Sequence, residues 1–163
     1  MQYYWYMTEL KIFPYESKYH KDFVNISLEW LKEYNLYEES DLPILENPKD
    51  VILNNGGYIF LARYKNKIVG TVTLKKVDEV TYELLKLGVT KAYQGNGIGT
   101  ELMYYSIQLS KNTGAEKIIF ETNTKLEIAI ALYKRFNFKE IALTDMVYGM
   151  ANFKMELNLN ESH

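Results

Sequence analysis

The sequence predicts a mixed α/β (α+β) domain: a mostly antiparallel central sheet, one parallel β-α-β crossover, and flanking helices. Three observations predict it. Residues 58–89 read as successive strands separated by tight turns. The apolar period then switches to that of a helix at residue 98. Residues 117–122 return to a buried-looking strand.

Taken in order, Thr8 to Phe13 alternates weakly and is expected as a first strand, ended by Pro14. Residues 17–36 carry Tyr19, Phe23, Ile26, Trp30, Leu31 and Tyr34 at helical spacing. Asp41 to Leu45 and Lys49 to Leu53 read as short helical turns, closed by Gly56-Gly57. Tyr58 to Tyr64 is continuously apolar, Lys67 to Lys76 alternates, and Lys65-Asn66 between them suits a hairpin. Thr81 to Val89 follows across Asp78-Glu79 and completes an antiparallel meander.

Ile98, Leu102, Tyr105 and Leu109 form the stripe of an amphipathic helix ended at Asn112 to Gly114. Lys117 to Thr122 is a strand, parallel to 81–89 through a right-handed crossover. Thr124-Lys-Leu-Glu127 reads as a capping box, opening a helix with Ala129, Leu132, Tyr133 and Phe136 on one side. Asn137 sits where a left-handed cap residue belongs. Phe138 to Leu143 and Asn152 to Leu159 close the chain as strands, the latter with Phe153, Met155, Leu157 and Leu159 on one face.

The chain has 163 residues, the size of one domain, and no linker or repeat divides it. Residues 1–7 fit none of the pattern that follows and read as an aromatic arm or a frayed end. Cysteine is absent, which excludes a disulfide framework, thiolate zinc sites and thiol catalysis. His20 and His163 are the only imidazoles, so no metal site is expected. Nineteen basic and 21 acidic residues give a net charge of −2, no footprint for nucleic acid. No apolar run is long enough to cross a bilayer, and the amino-terminal residues lack the pattern of a secretory leader. A cytoplasmic protein is expected, as a monomer or as a homodimer paired through an exposed last strand.

The turn after residue 89 reads Val89-Thr-Lys-Ala-Tyr-Gln94-Gly-Asn-Gly97-Ile-Gly99-Thr100. Its glycines let a ligand approach the backbone, and the helix start offers unpaired amides at the positive end of its dipole. An anion, best a phosphate or diphosphate, suits such a cradle. A dinucleotide fingerprint counted from Gly95 would need a third glycine where Thr100 stands, and a nucleotide P-loop would need a lysine. A plain strand-to-helix loop is the remaining structural reading. A further pattern, Q/R-x-x-G-x-G/A, is met by Gln94, Gly97 and Gly99.

In that motif, and in its place after a meander at the start of a crossover helix, the sequence resembles the GNAT superfamily of N-acetyltransferases. The likeness spans most of Leu10 to Leu157 and is most specific from Glu83 to Phe138. It implies acetyl-coenzyme A as cosubstrate and no metal. The pantetheine arm would pair with the backbone at Leu87 and Val89. The pyrophosphate would lie beside Gln94, on the amides of Gly95, Asn96, Gly97, Ile98, Gly99 and Thr100. Strand 117–122 would splay from strand 81–89 and open a V for the thioester.

The resemblance also implies two side-chain roles. Tyr133, in Leu132-Tyr133-Lys-Arg-Phe-Asn-Phe138, matches the tyrosine that protonates the departing thiolate. The same spacing suits a core tyrosine. Glu83 lies eleven residues before Gln94, the spacing of the base glutamate in one branch of the family. A strand glutamate held in an ion pair would also stand there. Where the family often has an asparagine, this chain has Leu126, and Asn123 could offer a substitute amide.

A small-molecule or peptide amine is the expected acceptor. Its site would draw on Trp30 and Tyr34, with the acidic run Glu38, Glu39 and Asp41 nearby, and on Tyr148 in the 144–151 loop. A solvated helix end is the plainer reading of the first group. A coenzyme A sensor or partner-binding module without catalysis is the alternative function on the same scaffold.

Overall fold

Alternation sorts the side chains of the meander to two sides. Ile59 and Leu61 enter one hydrophobic cluster, and Phe60 and Ala62 enter another. The computed structural model describes residues 9–144 and 150–160. They form β1 (Leu10–Pro14), α1 (His20–Glu33), the short helices α2 (Leu42–Glu46) and α3 (Pro48–Val51), and β2 (Tyr58–Tyr64). β3 (Lys67–Asp78), β4 (Thr81–Val89), α4 (Ile98–Asn112) and β5 (Lys117–Thr122) follow, then α5 (Glu127–Arg135), β6 (Lys139–Ile141) and β7 (Phe153–Asn158). One seven-stranded sheet runs β1-β2-β3-β4-β5-β7-β6. β4 and β5 pair parallel and every other pair is antiparallel, the mixed sheet that the sequence predicts.

α1, α2 and α3 cover one face, burying Phe23, Ile26, Ile44, Leu45 and Ile52 against Leu61 and Leu85. α4 covers the other, where Ile98, Leu102 and Met103 pack with Val72, Leu74 and Leu84. Each such aliphatic side chain contributes about 1.5–3 kcal/mol on leaving water. Ligands of such sheets bind at the carboxyl ends of the parallel strands.

Two local expectations change. The buried face of α4 is Ile98, Leu102, Met103, Ser106, Ile107 and Ser110, while Tyr105 of the expected stripe is 42% exposed. The serines sit inside because each hydroxyl donates to a carbonyl one turn back, Ser106 to Leu102 and Ser110 to Ser106, both at 2.8 Å. The capping box at Thr124 does not form: α5 begins at Glu127, with Leu126 as its cap residue and no side-chain cap bond. Two asparagines serve the preceding amides instead. Asn123 Oδ1 accepts from the Lys125 N–H and Asn152 Oδ1 from the Thr124 N–H, each at 2.9 Å.

At its other end α5 finishes as expected. Asn137 has φ +72°, and the Phe138 N–H donates to the Tyr133 carbonyl at 3.1 Å while the Asn137 N–H donates to Lys134 at 3.0 Å. The closing strands are shorter than the sequence suggests, above all β6. The arm at residues 1–7 lies outside the described residues.

Candidate active site

β4 and β5 hold together over only three residue pairs, Thr81–Lys117, Tyr82–Ile118 and Glu83–Ile119. Beyond Glu83 each strand pairs only with its outer neighbour, β3 or β7, so the sheet opens into a V. A bulge in β4 lies beside it. Leu85 faces Thr73 and Gly88 faces Thr71, so Lys86 and Leu87 together oppose the single residue between them, and Lys86 has φ +54°. The extra residue re-aims the side chains. Lys86 turns inward to an ion pair with Asp41, both more than nine-tenths buried, while Leu87 and Val89 pack with the α4 core. Asp41 also accepts the Glu38 N–H at 2.9 Å, so the pair ties the chain before α2 to the bulge.

The glycine turn leaves β4 at Val89. Gln94 Nε2 donates back to the Val89 carbonyl at 3.0 Å, and Gly95 and Gly97 take φ +81° and +83°. Gly97 is the cap residue of α4, and the first intrahelical bond runs from the Glu101 N–H to the Gly97 carbonyl at 3.0 Å. The amides of Ile98, Gly99 and Thr100 therefore have no carbonyl one turn back to bond. They lie along a groove of about 400 Å³ that Leu87, Val89, Gln94, Gly95 and Gly97 also line. A Cβ at Gly99 would meet Leu132 at 3.5 Å and Val89 at 3.9 Å, both ordinary contacts, and one at Gly95 would meet nothing within 4 Å. Packing does not require these glycines, and the space they leave belongs to the groove. Exposed amides, a helix dipole and a bare backbone fit the diphosphate of a coenzyme A thioester.

A second pocket of about 90 Å³ lies deeper in the V. Trp30, Leu87, Leu126 and Ala129 line both, so groove and pocket adjoin across a shared wall. Tyr133 lines the inner pocket with no exposed surface, its ring stacked on Phe120 at 3.8 Å and met edge-on by Phe138 at 5.0 Å. The hydrogen bond from the Phe138 N–H to the Tyr133 carbonyl closes the end of α5 there. Its hydroxyl has no partner, and burial pushes its pKa well above the usual tyrosine value. It stays protonated at neutral pH.

Glu83 is 3% exposed, and one of its carboxylate oxygens lacks a hydrogen bond. Burial raises its pKa first, the neighbouring charge of Glu121 adds to this, and Lys75, Lys154 and Lys86 oppose it. It borders neither groove nor pocket.

Several residues stand apart from their expected places. Asn96 does not line the groove; its amide donates to the Tyr93 carbonyl at 3.2 Å. Asn123 lines the inner pocket rather than the groove, and its amide donates to the Met150 carbonyl at 2.9 Å. Tyr34 lines the groove, not the inner pocket, while Trp30 lines both. Tyr148 lies outside the described residues. Sequence reasoning missed Lys86 and Glu121 in the inner pocket and Arg135 on the groove. Only Arg135 carried a signal, a cation in the last turn of the helix that holds Tyr133.

Comparison with known proteins bears on this arrangement. The model of the acetyltransferase (GNAT) family matches residues 23–138. The chain belongs to the GNAT family. Among curated relatives, this GNAT protein is 34% identical over 103 residues to "N-alpha-acetyltransferase MAK3" of Arabidopsis thaliana, covering 60% of this chain and 54% of that one. It is 31% identical over 85 residues to "N-alpha-acetyltransferase 30" of Schizosaccharomyces pombe, covering 50% and 57%. The chain thus spans little more than half the length of these relatives. A GNAT-family acetyltransferase structure from Staphylococcus aureus Mu50 superposes with TM-score 0.85 at 28% identity, over 93% of this chain and 99% of that one. The fold is shared with a Thermoplasma acidophilum N-acetyltransferase in complex with coenzyme A, at TM-score 0.75 and 20% identity over 91% and 98% of the chains. Among the described residues no helix is long and apolar enough to cross a membrane, and no cluster of three or more His, Cys, Asp or Glu could hold a metal.

Proposed function

We propose that this protein is an N-acetyltransferase that moves the acetyl group of acetyl-coenzyme A to a primary amine by direct attack in a ternary complex. The carrying observation is that groove and pocket adjoin: amides suited to a diphosphate line the one, and Tyr133, whose buried hydroxyl has no partner, lines the other. The names of the curated relatives favour a peptide α-amine among the small-molecule and peptide amines.

In this reading Ile98, Gly99 and Thr100 hold the diphosphate, Gln94 braces the turn, and the β4 backbone at Leu87 and Val89 aligns the pantetheine arm. The opening between β4 and β5 admits the thioester, and the inner pocket receives the amine. An alkylammonium sheds one proton before attack and a second after the carbon–nitrogen bond forms. Glu83 draws protons from the site through a group that reaches the pocket, and Tyr133 gives its proton to the departing thiolate. Holding both substrates in one cleft contributes to the rate by orientation.

The test is acetyl-coenzyme A consumption with a panel of hexapeptides bearing free α-amines, polyamines and amino acids. Transfer to a primary amine, with blocked peptides inert, is the expected result. Coenzyme binding without transfer to any member would leave a sensor in place of an enzyme.

A further inference from the structure

We propose that Trp30, on α1, selects the acceptor: its indole N–H donates to the carbonyl oxygen beside the reacting amine. Compounds with an α-aminoacyl group, peptides among them, are then favoured over alkylamines and polyamines. The inference rests on the acetyltransferase reading above and deepens it.

Two side-chain groups of the inner pocket are buried without a hydrogen-bond partner, the Tyr133 hydroxyl and the Trp30 N–H. A native structure leaves few such groups, and each calls for a partner. The chemistry above spends the hydroxyl on the departing thiolate and leaves the N–H over. An indole N–H only donates, so an acceptor atom must complete it. The protein supplies none. Lys86 and Asn123, which also line the pocket, donate to Asp41 and to the Met150 carbonyl.

The side of β4 on which the indole lies says whose oxygen this is. A Cβ at Gly88 would meet Trp30 and then Ile26, both on α1. Leu87 and Val89, on either side of it, pack with the α4 core instead. Trp30 therefore stands on the α1 side of the strand, with Leu31, Leu36 and Glu38 of the inner pocket. The amides suited to the diphosphate belong to α4, which covers the opposite face. Because residue 88 has no side chain, the ring lies against the strand, in the wall that groove and pocket share. The N–H is shielded from water, so pairing requires the ring to turn about its Cβ–Cγ bond towards the cavities that it already lines.

Acceptors differ in what they offer this donor. A peptide α-amine has a carbonyl on the carbon next to the one that bears it. An alkylamine or polyamine has methylene groups there, and any further ammonium groups are themselves donors. Such a ligand leaves the N–H unpaired, and an unpaired buried group is what lets a site reject an analogue of its substrate.

The experiment compares leucinamide with isoamylamine, the same carbon skeleton without the carboxamide. It measures kcat/KM for both in wild type and Trp30→Phe, with the acetyl-coenzyme A melting shift as the check on folding. The preference for leucinamide over isoamylamine is the readout, because the different basicity of the two amines cancels between proteins. Trp30→Phe should lower that preference about 10-fold. A preference within about 3-fold of wild type overturns the proposal, and so does weaker coenzyme binding with the preference kept. A second measurement needs no variant at position 30. In the coenzyme A complex, the indole N–H signal of Trp30 in the NMR spectrum, told from that of Trp5 by Trp5→Phe, should move with leucinamide and stay in place with isoamylamine. Equal movement with both, or none with leucinamide, overturns the proposal. A wild type that acetylates no amine while this signal still answers to leucinamide would defeat the acetyltransferase reading and leave the carbonyl contact standing.

Discussion

The indole of Trp30 occupies the space that a side chain at Gly88 would need. A Cβ at Gly88 would lie 2.6 Å from both Cδ1 and Nε1 of Trp30. Trp30 lines groove and inner pocket together, and its buried N–H has no partner. Gly88 is thus the seat on which the dividing wall between the two rests.

Gly88→Ala is expected to push the indole aside. Overpacking of this kind costs about 1–3 kcal/mol. The larger effect should be on kcat/KM, a fall of 10- to 100-fold on the order of what ångström-scale misplacement causes. Kinetics and thermal melting on the same preparation check both; unchanged kinetics would remove Trp30 from the site.

The buried Lys86–Asp41 pair should behave asymmetrically. Lys86→Met leaves Asp41 as an uncompensated buried charge, at a cost of about 3–5 kcal/mol. Adding Asp41→Leu should restore much of that stability. Urea unfolding of both single variants and the double variant measures this, and additive losses would contradict it.

Tyr133→Phe should separate chemistry from folding. The hydroxyl has no partner, so its removal should leave stability unchanged or slightly improved. Turnover should fall about 10²-fold with coenzyme affinity retained. Turnover equal to wild type would remove Tyr133 as the acid.

Glu83 carries a pH dependence of definite sign. Its folded pKa is raised, chiefly by burial and then by Glu121, so its contribution to stability is complete below the ordinary glutamate range. That contribution is lost as pH rises through the elevated folded value. Glu83→Gln should therefore gain on wild type as pH rises from the acid side to neutrality. Melting curves across that range test this, and a variant that loses ground to wild type towards neutral pH would refute it.

The strands that frame the site were legible because their alternation is strong. Tyr58–Tyr64, Thr81–Val89 and Lys117–Thr122 form with the expected bounds. The glycine turn was legible because backbone access leaves a mark in residue type. The bulge left none, since a lysine at positive φ inside a strand has no pattern of its own. Its pairing with Asp41, 45 residues away, arises only on folding. Glu121 reads as one more polar strand residue until the V brings it into the pocket. The buried face of α4 was misjudged at Tyr105 because Ser106 and Ser110 do not register as apolar, although back-bonding lets them pack inside.

The most direct test of the central claim is a calorimetric titration of acetyl-coenzyme A into wild type and Gly99→Glu. Gly99 lines the groove, and a Cβ there would meet Leu132 and Val89 at ordinary contact distances, so the variant should fold and place a carboxylate among the α4 amides. The account predicts one saturable site in wild type, stabilising the fold by about 2.7 kcal/mol at 100 times the dissociation constant, and its loss in the variant. Equal binding by both proteins, or none by wild type, would contradict it.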